Sequence, residues 1–199
     1  MGYNTNNLAA LIGSRICHDL ISPIGAITNG LELMQMSGAA LTPEVALISE
    51  SVGNANARIR FFRIAYGMAP ERQSLGRAEI VSILKAVAQG GRVGFHWGPL
   101  EDIPRAEVRL VFLALQCLET AMPYGGRIGI AREGDIWVLS ASADKLRRMP
   151  DLWAALKTPA SGFAVSPAEV QFALLPDLLA ETGGRISLQE TETDILLRF

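Results

Sequence analysis

The chain has 199 residues, of which 49% are hydrophobic and 19% charged, and its mean hydropathy is +0.25. This composition is typical of a globular protein with a hydrophobic core and excludes an intrinsically disordered chain. The formal net charge of −2 and the pI of about 5.7 provide no basic surface for nucleic acid. The start shows no signal-peptide pattern and no apolar run is long enough to span a membrane, so we expect a cytoplasmic protein without membrane contact.

The first third of the chain predicts a helical hairpin. Residues 7–37 repeat apolar or small side chains in alternating steps of four and three, which is the pattern of a heptad seam. After Ser37-Gly38, Thr42 and Pro43 suit the N-cap and first position of a second helix. Its seam continues in steps of three and four through Val45, Ile48, Val52, Ala55, Ile59, Phe62 and Tyr66.

The two seams together predict a homodimer. One hairpin cannot cover both flanks of its apolar stripe, whereas two hairpins related by a two-fold axis can form a four-helix bundle. We therefore expect the seam side chains to be core residues, among them Leu20, Ile24, Ile27, Ile59 and Phe62.

The remainder of the chain predicts a second domain of a different type. Residues 67–76 contain Gly, Pro and charged residues without periodicity, which indicates a linker between a domain at 1–72 and one at 73–199. Helices are predicted at 77–89, 106–124 and 166–181, and strands at 92–97, 127–132, 136–141, 186–189 and 195–199. Interleaved strands and helices favour an α/β sandwich, so the fold class is α + α/β.

His18 is the residue whose neighbours suggest chemistry. Asp19 follows it directly, and Pro23 removes a backbone N–H five residues later and should deform the helix. A neutral imidazole is a usable nucleophile near pH 7, and an adjacent carboxylate can orient it or accept its proton. The alternative is an exposed helix histidine beside an incidental kink.

The other histidine and the cysteines suggest no chemistry. His96 lies in a predicted strand without a nearby acid or second ligand, which indicates a half-exposed strand histidine. Cys17 and Cys117 lie in apolar helical patterns and are predicted to be reduced core thiols. This spacing of histidines and cysteines does not predict a metal site.

The helix face around His18 is suited to close approach by a large partner. It carries small or short polar side chains at Ser14, Ser22, Gly25 and Asn29. If the hairpin turn centres near residue 40, His18 lies level with residue 62, close to arginines on both helices. Guanidinium groups there could neutralise a phosphate, although a solvated arginine face is the alternative. These arginines are Arg15, Arg58, Arg60 and Arg63.

Residues 18–24, HDLISPI, resemble the phospho-acceptor box of sensor histidine kinases, which reads His, an acid, Leu, any residue, Thr/Ser/Asn, Pro, Leu/Ile. The longer stretch SRICHDLISPIGAITNGLELM is similar to the ChpT-like histidine phosphotransferases of alphaproteobacterial phosphorelays. The resemblance implies that the second domain has the Bergerat-like α/β fold of the histidine-kinase ATPase domain.

The second domain departs from the kinase pattern at its nucleotide site. Residues 118–121 read LETA, so Thr120 replaces the kinase Asn that holds magnesium and phosphate. Residues 140–144, SASAD, and 163–167, FAVSP, lack the kinase glycine motifs that let a backbone approach phosphates. We therefore expect a degenerate kinase-like domain that binds no cofactor.

The resemblance implies a relay in which phosphate moves from an upstream receiver aspartate to His18 and then to a downstream receiver. His18 would be the nucleophile, Asp19 would orient its ring or accept its proton, and Ser22 would contact the phosphoryl group. The receiver domain would supply Mg²⁺. The predicted receiver-docking residues are Ser14, Arg15, Ile21, Pro23, Gly25, Asn29 and Arg63. The alternatives are an ATP-dependent histidine kinase and a dimeric adaptor that binds response regulators without chemistry.

Overall fold

The computed structural model describes residues 13, 20–21, 24–34, 36, 42–70, 72–157 and 166–199. The first helix, α1, covers residues 24–34, and residues 13, 20, 21 and 36 are also helical. Helix α2 covers Pro43–Ala65, and its predicted start is confirmed: the Val45 N–H donates to the Thr42 hydroxyl oxygen at 3.4 Å. None of the described helices is both long enough and apolar enough to cross a membrane.

Gly13 lies close to the backbone of Tyr66 at the end of α2. A Cβ added at Gly13 would lie 3.2 Å from the Tyr66 carbonyl oxygen and 3.3 Å from the Tyr66 Cβ. Glycine therefore allows the two backbones to approach closely.

The α1 and α2 seams are only partly buried. Ile59 is buried, but Leu20, Ile27 and Ile48 leave 45%, 46% and 49% of their surface exposed. The expectation that Leu20 and Ile27 are core residues concerns two paired hairpins and stays a prediction, because a single chain does not close these seams. Instead, α2 buries a second face that the seam analysis missed, formed by Ala57, Phe61, Ile64 and Ala65.

The remaining elements confirm the predicted α/β character. The helices are α3 (Arg77–Gln89), α4 (Arg105–Ala121), α5 (Pro150–Lys157) and α6 (Gln171–Glu181), with a 3₁₀ turn at Pro167–Glu169 before α6. The strands are β1 (Ser74–Leu75), β2 (Val93–Trp97), β3 (Ile103–Pro104), β4 (Gly126–Glu133), β5 (Ile136–Ser142), β6 (Ser187–Glu190) and β7 (Asp194–Arg198). Elements β1, β3 and α5 were not predicted.

Two of the predicted boundaries need correction. Helix α4 ends at Ala121 rather than at Tyr124, because Pro123 disfavours a helical conformation at the residue before it. The predicted helix at 166–181 is divided into the 3₁₀ turn and α6. The predicted cap at Ser166 is supported by a capping box, in which the Ser166 backbone N–H donates to the Glu169 carboxylate at 3.3 Å.

The main sheet has five strands in the order β2-β4-β5-β7-β6. Strands β2 and β4 are parallel, with Phe95 opposite Ile128, and the other pairs are antiparallel. Strands β1 and β3 form a separate antiparallel pair. This mixed topology places β4 and β5, the longest strands, in the interior of the sheet. There, neighbouring strands on both sides satisfy their backbone hydrogen-bonding groups.

Helix α4 lies at the centre of the core. Its apolar residues are buried nearly all around the helix, which is typical of a helix covered on several sides. It contacts α2, α6 and strand β5. Cys117 of α4 is a free, fully buried thiol, and burial raises its pKa well above the usual range. The prediction of a reduced core thiol is confirmed for Cys117, while Cys17 lies outside the described residues.

Candidate functional site

Most of the predicted site lies outside the described residues. This applies to the predicted catalytic residues His18, Asp19 and Ser22, and to the predicted docking residues Ser14, Arg15 and Pro23. Their roles remain predictions. The structure does place the other docking residues, Ile21, Gly25, Asn29 and Arg63.

The described part of the predicted docking face on α1 is open. Ile21 and Gly25 are half-buried, and Asn29 is exposed. A Cβ added at Gly25 would meet no described atom within 4 Å. Gly25 and Asn29 are four residues apart and therefore lie on the same side of the helix. The face thus has room for another molecule beside Gly25.

The structure separates the predicted arginine cluster. Arg63 is exposed in the last turn of α2, and Arg60 is half-buried. Arg58 instead pairs with Glu119 of α4 across 3.5 Å, with 38% of its side chain exposed. Burial raises the pKa of the Glu119 carboxyl, and the neighbouring Arg58 guanidinium partly opposes this rise. The side chain of Arg58 is therefore engaged with α4 and is not a simple solvated arginine.

The last two turns of α2 pack directly on α4. The Phe61 ring stacks on Phe112 with 4.4 Å between the ring centroids, and both side chains are fully buried. The Tyr66 hydroxyl donates to the Gln116 side-chain oxygen at 2.7 Å. Burial raises the pKa of Tyr66 to about 12. Tyr66 therefore remains a protonated donor at neutral pH.

Two arginines of α4 hold the C-terminal end of α2. Arg105, only 6% exposed, donates from Nη2 to the Arg63 carbonyl at 2.8 Å and from Nε to the Met68 carbonyl at 3.0 Å. Arg109 donates from Nε to the Ala65 carbonyl at 3.3 Å. The last carbonyls of a helix lack intrahelical partners and carry partial negative charge, so guanidinium donors stabilise them.

These contacts join the second helix and the α/β sandwich in one hydrophobic core, which includes Phe61 and Ile64 together with Phe112 and Leu139. The sequence analysis missed this junction. A signal was present, since Ala57, Phe61, Ile64 and Ala65 recur at helical spacing on a second face of α2. The domain boundary predicted after residue 72 remains a prediction.

Thr120, which the resemblance places at the kinase asparagine, is hydrogen-bonded within the protein. Its hydroxyl donates to the Gln116 backbone carbonyl at 2.8 Å and accepts from Gln171 Nε2 at 3.2 Å. Gln171 is only 3% exposed, and its Nε2 also donates to the Ala168 carbonyl at 3.1 Å. The side chain of Gln171 thus lies directly against Thr120.

His96 is not part of the predicted site. His96 is exposed on β2, opposite Gly129 of β4, as expected for a strand histidine. Across the described ranges, no group of three or more His, Cys, Asp and Glu side chains could hold a metal ion.

Comparison with known proteins gives the family. Residues 77–194 match the family model of the histidine phosphotransferase C-terminal domain. Protein phosphotransferase ChpT of Brucella abortus (strain 2308) is 34% identical over 201 residues, covering 96% of this chain and 93% of that protein. A solved bacterial phosphotransferase aligns with a TM-score of 0.70 and 30% identity, covering 100% of this chain and 98% of that one. The chain therefore belongs to the histidine phosphotransferase family, and it is a phosphorelay histidine phosphotransferase.

Proposed function

We propose that this phosphotransferase carries the phosphoryl group on His18 and moves it between aspartates of receiver domains. One observation carries the proposal: the HDLISPI box lies in a chain that matches a protein phosphotransferase over nearly its whole length. Asp19 orients the ring or accepts its proton, and Ser22 contacts the phosphoryl group. The protein acts in the cytoplasm on response-regulator receivers upstream and downstream.

In the first step, a ring nitrogen of His18 attacks the phosphorus of the receiver aspartyl phosphate in line. The N–P bond forms while the acyl O–P bond breaks, and the aspartate carboxylate leaves with the electron pair. The second step is the reverse transfer to the aspartate of the next receiver. Such transfers depend on positioning and charge neutralisation, and the receiver supplies the Mg²⁺.

The receiver docks along the α1 face and the adjoining turn of α2. If the hairpin turn centres near residue 40, His18 lies level with residue 62, close to the exposed Arg63. The open space at Gly25 and the exposure of Asn29 support close approach on this face. Receiver docking thus uses Ser14, Arg15, Ile21, Pro23, Gly25, Asn29 and Arg63.

Two copies pair through their hairpins as a four-helix bundle. The support is the set of large apolar side chains left exposed on α1 and α2. Leu20, Ile27 and Ile48 belong to the predicted seams, and a face of this kind is typical of a protein–protein interface. The second domain is a Bergerat-like sandwich that has lost its nucleotide site.

The chain binds no ATP in this proposal. A kinase-like domain that binds nucleotide needs a side chain at position 120 that is free to hold magnesium and phosphate. The Thr120 hydroxyl is instead hydrogen-bonded to Gln116 and Gln171. Glycine motifs are also absent from residues 140–144 and 163–167. Both observations weigh against the ATP-dependent kinase alternative.

Phosphotransfer with purified proteins tests this proposal. A receiver domain labelled by its kinase is mixed with the wild-type protein, with His18→Ala and with His96→Ala as the matched histidine control. We expect acid-labile label on the wild type and on His96→Ala, and none on His18→Ala. A parallel reaction offers ATP and magnesium directly, and we expect no label from it.

Other results would favour the alternatives. Label that arrives from ATP alone would identify a kinase. If receivers bind both the wild type and His18→Ala but label neither, the protein is an adaptor. If His18→Ala becomes labelled as fully as the wild type, another residue carries the phosphoryl group.

A further inference from the structure

A polar cleft of about 460 Å³ lies at the junction of the hairpin and the α/β sandwich. Its volume is within the range of small-molecule sites. Helix α2, helix α4, the start of β2 and the 3₁₀ turn before α6 all contribute to its walls. The polar side chains that line it are Arg58, Arg92, Gln116, Glu119, Thr120 and Gln171.

The charges of this cleft favour an anion. Arg58 and Arg92 contribute two guanidinium groups, against the single carboxylate of Glu119. The Arg58–Glu119 contact of 3.5 Å is long for a charge-assisted hydrogen bond. Arg92 donates from Nη1 to the Pro123 carbonyl at 3.0 Å, and it has no acidic partner within the described part of the chain. An incoming oxyanion would therefore meet one unpaired cation and one weakly paired cation.

Gln116 adds an unused donor. Its side-chain oxygen accepts from Tyr66, whereas its Nε2 is buried and has no hydrogen-bond partner among the described residues. A buried polar group without a partner is uncommon in folded proteins and calls for an explanation. The terminal amide torsion of glutamine is soft, so a small rotation can aim an N–H at a ligand in the cleft.

We propose that this cleft binds a small oxyanion, a carboxylate or a phosphate, held between Arg58 and Arg92 with Gln116 as a further donor. Phe62 and Met122 supply an apolar wall for the rest of such a ligand. Because Arg58 belongs to α2 and Arg92 precedes β2, the bound anion bridges the helical hairpin and the α/β sandwich. The site is independent of His18 and of phosphotransfer.

Titration of the full-length ¹⁵N-labelled protein tests the site. The probes are sodium phosphate and sodium acetate, each compared with sodium chloride at equal ionic strength. We expect saturable shifts of the Gln116 side-chain amide signals, which Gln116→Met identifies by removing them. Phosphate and acetate differ in the group they present, so the tighter probe indicates whether the ligand carries a phosphate or a carboxylate. Chemical shifts that rise linearly with phosphate or acetate concentration, and that equal the shifts caused by sodium chloride, would overturn the proposal.

Three variants locate the anion. Arg92→Gln should weaken binding by roughly tenfold or more, since it removes a charged hydrogen-bond donor. Arg127→Gln removes an exposed arginine from β4, outside the cleft, and should leave the affinity within about twofold. Glu119→Gln should tighten binding several-fold, because it removes an opposing charge and releases Arg58. Equal affinities for wild type and Arg92→Gln, or weaker binding by Glu119→Gln, would contradict this assignment.

Discussion

The two ends of α2 lie in different surroundings. Near the start of the helix, Leu47 and Ile48 leave 64% and 49% of their surface exposed, whereas Phe61 and Ile64 near its end are 0% and 1% exposed. The end of the helix belongs to the core of the α/β sandwich, while its start has apolar side chains that the single chain leaves open to solvent. One helix thus connects two kinds of packing, and substitutions along it should separate folding from association.

Phe61→Ala should have the largest effect on folding. The substitution removes a fully buried ring and its stacking contact with Phe112. Such truncations lower the free energy of unfolding by about 3–5 kcal/mol. Urea denaturation followed by circular dichroism measures this loss. The matched control is Leu47→Ala on the same helix, which should cost less than about 0.5 kcal/mol. Similar losses for the two variants would show that the ends of α2 are not packed differently.

Arg105→Gln tests the polar part of the same junction. It leaves the Arg63 and Met68 carbonyls without their guanidinium donor at the end of α2, and we expect a loss of about 2 kcal/mol. The exposed Arg127 is the control, since Arg127→Gln should change the free energy of unfolding by less than about 0.5 kcal/mol. A cost for Arg105→Gln as small as that of the control would mean that water replaces the arginine at these carbonyls.

The junction also shows how far the sequence can predict this structure. Helix α3 and the β4–β5 hairpin were predicted nearly to the residue, because α3 has the apolar spacing of a helix and the turn at Glu133-Gly134-Asp135 separates two strand-like runs. Strands β1 and β3 have only two residues each, which is too short for any period to be visible. The roles of Arg105 and Arg109 could not be predicted, because their acceptors are backbone carbonyls about 40 positions away in the chain. The predicted site depends on residues 14–23, of which the structure describes only two.

Ile48→Asp tests the open end of α2. If two hairpins pair there, the substitution places an uncompensated charge in the interface and should raise the dimer dissociation constant by roughly tenfold or more. Because the side chain is half-exposed in the single chain, the fold should be retained. Analytical ultracentrifugation measures the association, and far-UV circular dichroism measures the fold. Ala46→Asp, exposed on the opposite side of the helix, is the control and should leave the association unchanged.

Tyr66→Phe should have the smallest effect on the free energy of unfolding, and this effect should depend on pH. Loss of the hydrogen bond to Gln116 should cost about 1 kcal/mol at neutral pH. The pKa of Tyr66 is raised to about 12 in the folded protein, so the unfolded chain releases this proton first as the pH rises. The stability that Tyr66 contributes is therefore complete below about pH 10 and is lost as the pH rises towards 12. Urea denaturation at a series of pH values should show a steeper alkaline decline for the wild type than for Tyr66→Phe. Parallel declines would mean that Tyr66 titrates normally and that its contact with α4 does not hold the junction together.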